Sequence, residues 1–478
     1  MFVRRALQFA LVLLLAAPLA WADTIVLKSG RRITATNVVE EGDRVYYETS
    51  AGRLSFPKSM VDRIERGGYS DFGSARSAEP PVKAPRIDPG EGFDEILQAT
   101  LNGGSVNRSY LARLEEEARG GQPRAVQRVA MGYHAAAQFL LRRGDSGRAL
   151  EDYRRGLIFA PDHLSLLVSI AQVHLTRTEY SEALPYLERA RRLEPDNADV
   201  AKLTGWAYYG QNKIEQAVKE WKRAYQLRAD YDVALALEKA MRDAEEESAY
   251  KEGESSHFVL RYNGQAAAPE LARDLLRTLE GHFSDLESEL RFTPPESIGV
   301  VLYTDQAYFD ITTAPAWTGA VNDGRIRVPV QGLSSVTPQL SRTLRHELTH
   351  SFLRQKTRER CPTWLHEGLA QWMEGKRGDP ELAAWLVSNA ADQRMPSLSL
   401  MDGSWLNLPG PVAQAFYASS LLVVEYLVQR YGMGDVERFL SRLATEPSTE
   451  AALQSVFRMD YEELEAETVE YLRRTYLR

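Results

Sequence analysis

The sequence predicts a multidomain chain in three parts: a small all-β N-terminal module, an all-α solenoid of helix pairs, and a C-terminal α+β domain. Three observations carry this. Short alternating apolar runs separated by turn residues fill positions 24–66. Small residues then recur every 34 positions between about 129 and 230. Beyond Ser255, strand-like and helix-like patterns alternate. The 478 residues, 44% hydrophobic and 26% charged, have an ordinary globular composition, and at roughly 100–200 residues per domain they leave room for about three domains. Against 58 Lys+Arg stand 66 Asp+Glu, and the net charge of −8 lacks the basic footprint of a nucleic-acid binder. Cys361 is the only cysteine, which excludes an intrachain disulfide and a cysteine-based metal cluster.

Residues 1–22 read as a secretory signal. Arg4 and Arg5 form a positive start, Leu7 to Ala17 an apolar core, and Ala20-Trp21-Ala22 an A-x-A cleavage site, so the mature chain is expected to begin at Asp23. The apolar stretch is shorter than the ~20 residues a spanning helix needs, and nothing later is long and apolar enough. An exported protein, periplasmic or extracellular, with no membrane span after cleavage is the expectation. Residues 23–66 hold Thr24-Ile25-Val26-Leu27, Val45-Tyr46-Tyr47 and Arg53-Leu54-Ser55-Phe56, parted by Ser29-Gly30, Gly42-Asp43 and Ala51-Gly52. This small module resembles the SH3-like or LSm-like barrels at the front of some exported bacterial proteins. Residues 67–92, with Glu79-Pro80-Pro81 and Asp88-Pro89-Gly90, lack periodicity and read as a linker.

Residues 93–247 are expected to be helical. Gly147-Arg148-Ala149-Leu150, Ser181-Glu182-Ala183-Leu184 and Glu215-Gln216-Ala217-Val218 place their alanines 34 apart, twice. Pro161 and Pro195 keep that interval, as do Ala190 and Ala224, and likewise Ala137, Ala171 and Gly205. Gly156 and Ala229 are minor departures. The pattern resembles the tetratricopeptide repeat, whose small residues let paired helices pack closely. A segment from Asn107 to Arg119 is a candidate cap for the array. Pro185 is placed in the first turn of its helix, where its missing N–H is harmless. The resemblance implies a protein partner on the concave face. The alternative is a spacer that holds the next domain.

Residues 255–478 form the last domain. Strands are expected at His257 to Tyr262 and at Ile298 to Tyr303, and a helix from about Pro269 to Leu290. Thr337-Pro338 then caps a helix with Leu340, Leu344 and Leu348 on one stripe and Lys356 and Arg358 near its end. Within it stands His346-Glu347-Leu348-Thr349-His350. Residues four apart on a helix lie about 40° apart in azimuth and ~6 Å along the axis, so both imidazoles can close on one ion. Zinc suits imidazole and carboxylate donors, and a catalytic zinc keeps a position for water. This composition yields about 0.02 chance occurrences of the motif, so it is not noise.

A third ligand sets the subclass. A metzincin would carry histidine at position 356, where Lys356 stands. After Cys361-Pro362 comes a second helix, Thr363-Trp364-Leu365-His366-Glu367-Gly368-Leu369-Ala370-Gln371-Trp372. The paired motifs resemble the gluzincin arrangement, and more closely the peptidase-MA-like domains with a W-L-x-E-G-L-A segment. The resemblance implies Glu367 as the third ligand. Glu367 also lies among Trp364, Leu369 and Trp372, where an unpaired charge would be costly. His366, the alternative, points roughly 100° away on the same helix. Gly368 allows close helix approach, and the step from His350 to Glu367 is short enough to require a tight connection. Cys361 reads as packing.

The parts imply peptide hydrolysis by a zinc-activated water, with Glu347 as general base. The resembling families often supply an oxyanion donor from a later tyrosine, for which Tyr417 in Ala415-Phe416-Tyr417-Ala418 is the match. Gly319-Ala320-Val321 and Arg325-Ile326-Arg327-Val328-Pro329-Val330 flank Asn322-Asp323-Gly324 as a hairpin. Its outer strand is a candidate for pairing with extended substrate, Pro329 places its own strand at an edge, and Arg325 and Arg327 would meet acidic groups or discourage aggregation. The functional expectation is an exported zinc metallopeptidase whose array recruits substrate or partner. The competing reading is a catalytically inactive envelope scaffold.

Overall fold

The computed structural model describes residues 21–69 apart from 29–31 and 50–51, and residues 90–477 apart from 103, 266, 313–319, 331, 392–396, 404 and 406–409. Most of the expected leader and linker, and Gly319, lie outside the described residues.

The N-terminal module is an antiparallel sheet of β1 (Trp21–Leu27), β2 (Arg32–Glu41), β3 (Arg44–Thr49), β4 (Gly52–Pro57) and β5 (Val61–Tyr69), in the order β4-β3-β2-β1-β5. The expected cleavage point falls inside β1, where Trp21 and Ala22 pair with Tyr69 and Gly68. So short a module buries little apolar surface alone. Its Ile25, Leu27, Val38, Val45 and Tyr47 share one core with Val301, Tyr303, Ala307, Tyr308 and Val321 of the last domain.

The helical region opens with α1 (Phe93–Thr100), a two-residue hairpin of β6 (Leu101–Asn102) and β7 (Ser105–Val106), and α2 (Arg108–Ala118). Asn107 caps α2 by accepting from Tyr110 N–H at 3.0 Å. Three antiparallel pairs follow: α3 (Pro123–Arg142) with α4 (Ser146–Phe159), α5 (Leu164–Thr176) with α6 (Tyr180–Leu193), and α7 (Ala198–Gly210) with α8 (Ile214–Leu227). The last helix of the array is α9 (Tyr231–Glu247). Ala137, Ala149, Ala171, Ala183, Ala190 and Ala217 are fully buried, as the repeat spacing requires. A Cβ on Gly205 would lie 2.4 Å from the Trp221 ring, so only glycine lets α7 and α8 meet there.

Two features of the array depart from expectation. The helix holding Pro185 begins at Tyr180, so the proline sits in the second turn and costs an internal hydrogen bond. The corner inside each pair is left-handed, with Gly144 at φ 79°, Thr178 at 58° and Asn212 at 60°, again 34 apart. Glycine marks this corner only once, so the sequence hides its recurrence.

The last domain holds a mixed sheet of β8 (Lys251–Glu254), β9 (Phe258–Tyr262), β10 (Ile298–Tyr303), β11 (Val321–Asn322) and β12 (Arg325–Pro329), ordered β11-β12-β10-β9-β8. Strands β9, β10 and β12 are parallel, and the outer two are antiparallel to their neighbours. The helices are α10 (Pro269–Leu290), α11 (Asp305–Thr312), α12 (Pro338–Thr357), α13 (Thr363–Met373), α14 (Pro380–Ala391), α15 (Gly410–Tyr431), α16 (Met433–Leu443), α17 (Thr449–Val456) and α18 (Tyr461–Tyr476).

Alternation along the strands divides the sheet. Phe258, Leu260, Val300, Leu302, Ile326 and Val328 join one core with α10, α12 and α13. Val301 and Tyr303 face the N-terminal module, while Arg325 and Arg327 meet α9. The hairpin is therefore placed differently than expected. Strand β12 lies between β11 and β10, Pro329 is in register with Tyr303 at the strand end, and the edge is the two-residue β11. Arg325 and Arg327 are buried and already neutralised by Asp243 and Glu247 of α9, so they are not available to acidic substrate.

The array meets the last domain along its corners. Arg360 approaches the Gly144 carbonyl, Ser181 donates from N–H and Oγ to Glu296 at 2.7 and 2.9 Å, and Asn212 Oδ1 accepts from Arg325 Nη1 at 3.1 Å. No helix among the described residues is long and apolar enough to cross a membrane.

Candidate functional site

Helix α12 starts where Thr337 Oγ1 accepts from Leu340 N–H at 3.0 Å and Pro338 supplies its fixed φ. Arg345, midway along, locks it to its neighbours. Its guanidinium donates to the Met373 carbonyl at 2.6 Å and pairs with Asp285 and Glu289 of α10 at 3.0 and 2.8 Å. The short connection to α13 is made by two successive left-handed residues, Arg358 at φ 53° and Glu359 at φ 62°, with Arg354 Nε bonded to Glu359 at 2.8 Å. Strained corners of this kind let few residues reverse the chain. At Gly368 a Cβ would come 2.4 Å from the Ser420 carbonyl oxygen, so α13 and α15 touch there as Gly368 permits.

This packing brings His346, His350 and Glu367 together, with donor atoms all within 4.8 Å of one another. Both imidazole Nε2 atoms face Glu367 Oε2, at 3.7 Å from His346 and 3.6 Å from His350. All three residues are buried, and so is Glu347 at 1% exposure. The Oε2 atoms of Glu347 and Glu367 have no hydrogen-bond partner among the described residues. Ionised carboxylate oxygens are costly in that state, and binding of a divalent cation would relieve it. Two imidazole nitrogens and a carboxylate oxygen are a donor set that catalytic metal sites use.

The surrounding charges act strongly on these groups. Burial pushes the Glu347 pKa up to about 8, opposed by His346 and reinforced by Glu367 and Glu374. Burial pulls His346 down, but Glu374 and Glu367 outweigh it and carry its pKa up to about 10. Burial would raise Glu374, yet His346 and Lys376 hold it down to about 2. A dication reverses this logic, favouring neutral imidazole and ionised carboxylate.

Two further groups neighbour the imidazoles, and the first of them escaped the sequence reading. Glu374 Oε1 lies 3.5 Å from His346 Nδ1. Its signal was available, because seven residues from Glu367 is two turns along nearly the same stripe, with about 20° of drift. His366, weighed as a ligand, lies outside the cluster. Its ring stacks on His350 with centroids 4.5 Å apart and the two Nδ1 atoms at 2.7 Å, which orients that imidazole. Tyr417 is on α15, its ring edge-on to Trp405 at 5.1 Å and its carbonyl accepting from Gln371 of α13 at 2.9 Å. Cys361 is buried in the apolar core.

Residues 290–474 match the model of the Peptidase MA superfamily. The match contains His346, Glu347, His350, Glu367 and Tyr417 but not β9 or most of α10. No curated protein matches the chain. Among solved structures, "MamA 41-end from Desulfovibrio magneticus RS-1" is 23% identical, covering 33% of this chain and 87% of that one at a TM-score of 0.26. The "MamA RS-1 ArsTM double mutant" is 25% identical, covering 33% and 86%, also at 0.26. These scores are too low for the overlap to define the fold.

Proposed function

We propose that the last domain is a zinc-dependent peptidase, with His346, His350 and Glu367 as metal ligands and Glu347 as general base. The convergence of these three donors beside a buried carboxylate oxygen that has no hydrogen-bond partner among the described residues carries the reading. When bound, the ion supplies Lewis acidity to water and to the scissile carbonyl. Glu347 takes a proton from the attacking water at its carboxylate and delivers it to the leaving amine. Glu374 and His366 hold the imidazoles in orientation from behind. Tyr417 is the proposed oxyanion donor, with Tyr417→Phe as its test. A scaffold that merely stores metal has no use for Glu347, so the inactive reading is less well supported.

The array is assigned the recruitment of a protein substrate or partner. The leader pattern supports export to the periplasm or beyond, with Asp23 as the new N-terminus, which N-terminal sequencing of the exported product checks. Hydrolysis is tested by zinc content and cleavage of a proteome-derived peptide pool, for the wild type and Glu347→Gln, with and without chelator. Cleavage that survives in Glu347→Gln, or in the chelated wild type, refutes the assignment.

A further inference from the structure

The turn between β11 and β12 touches two helices that the sequence sets about a hundred residues apart. Asn322, 3% exposed, donates from Nδ2 to the Glu347 carbonyl oxygen and to Ser351 Oγ, both at 2.7 Å. Its Oδ1 accepts from Gly324 N–H at 3.1 Å, which fixes the end of the amide that faces α12. The Glu347 carbonyl also serves the helical i to i+4 ladder, so Asn322 takes its second lone pair. The amide thereby clamps the turn of helix that carries both Glu347 and His350.

The next residue faces the other way. Asp323 pairs with Lys239 of α9 at 2.8 Å and with Arg327 at 2.9 Å. Arg327 in turn holds both carboxylate oxygens of Asp243 on α9 at 2.9 Å, and Arg325 holds Glu247 at 2.9 and 2.5 Å. The last helix of the array is thus joined to the catalytic helix through two consecutive residues of one turn. Apolar side chains of similar volume often pack such an interface as stably, so what these paired charges add is directional contact between named partners rather than net stability.

We propose that Asn322 is a positioning residue for Glu347 and His350, and that the ion pairs behind it make α9 of the array part of the hydrolytic framework. The proposal rests on the metallopeptidase reading, and it gives the array a task besides partner binding. Rupture at either end of the strut loosens the same turn of α12.

Backbone amide exchange over residues 346–352 of the metal-free full chain reads the clamp without recourse to hydrolysis. Asn322→Ala is expected to speed exchange there about tenfold, from the loss of two buried donors. Lys239→Met, at the far end, is expected to speed it by a smaller factor. Asn322→Asp keeps the volume and the Gly324 contact while losing both donors, and serves if the alanine variant does not fold. Zinc affinity, by competition with a chromophoric chelator, is expected to fall about tenfold in the Asn322 variants, with kcat lowered and KM held. Exchange over 346–352 at the wild-type rate in the Asn322 variant and in Lys239→Met overturns the proposal. Acceleration spread evenly over 255–477 overturns it too, because it reports general softening. A wild type that binds no zinc sinks the metallopeptidase reading instead, whatever the exchange shows.

Discussion

The last domain buries two clusters of charge, and they are built on opposite terms. Around α9 and β12, Arg325 and Arg327 are matched by Asp243, Glu247 and Asp323, with Lys239 completing the set at 2.8 Å from Asp323. Between α12 and α13, Glu347 and Glu367 each bury a carboxylate oxygen without a hydrogen bond among the described residues, the imidazoles of His346 and His350 standing 3.7 and 3.6 Å from that of Glu367. Both clusters were paid for in desolvation, but only in the first does every carboxylate oxygen of Asp243, Glu247 and Asp323 meet a cationic nitrogen of the fold within 2.9 Å. A saturated cluster joins parts of a fold. An unsaturated one marks where something else belongs.

The largest expected effect separates the two at once. Glu347→Gln is expected to lower kcat by about 10²–10⁴-fold, since it removes the proposed general base. Above about pH 8, where Glu347 of the metal-free chain ionises, the same change is expected to raise stability by about 1–3 kcal/mol, because it removes a buried charge lacking a donor. Arg327→Met is expected to destabilise the chain by about 3–5 kcal/mol, leaving carboxylates uncompensated. Denaturant titration of both variants checks the pair, and a shift of the same sign in each would break the contrast.

Acidity tests it along another axis. Asp243 and Asp323 are pushed up by burial but held below the ordinary range, chiefly by Arg327. Their contribution is complete above about pH 5 and is lost as pH falls through the depressed values. In the metal-free chain Glu347, raised to about 8, and His346, raised to about 10, bind protons more tightly folded than unfolded. Their contribution therefore declines as pH rises from about 4.5 toward 10. Melting temperature against pH in chelator is expected to fall on the alkaline side, and saturating zinc to flatten that limb. The smallest effect belongs to Glu374→Gln, expected to weaken zinc binding by about 10–100-fold while leaving the array untouched.

Much of this was legible in the residues. The 34-residue spacing marked the helix pairs, and Pro269 to Leu290 and Ile298 to Tyr303 were delimited by proline and by apolar runs. His346 and His350 were readable because residues four apart share one helix face, whereas Glu367, on the next helix, was picked out by the resemblance of its W-L-x-E-G-L-A segment. Arg325 and Arg327 were misplaced because charges two apart on a strand look alike whether they face water or another domain. The missing clue was a match in spacing. Asp243 and Glu247, four apart on a helix, span about 6 Å, as do residues two apart on a strand. Asn322 stayed hidden because a turn asparagine normally bonds its own loop, as its Oδ1 does, and nothing local announces the helix beyond.

The left-handed corners at Gly144, Thr178 and Asn212 carry one last implication. A free solenoid can lengthen or shorten by whole units, since each repeat sees only its neighbours. Here Arg360 reads the first corner and Arg325 the third, and Glu296 binds Ser181 just beyond the second, so every unit has its own address on the last domain. Splicing in another 34 residues before α9 would carry Asp243 and Glu247 one step past Arg327 and Arg325. The count of repeats is therefore a fixed dimension of this molecule, set by what the array is bolted to.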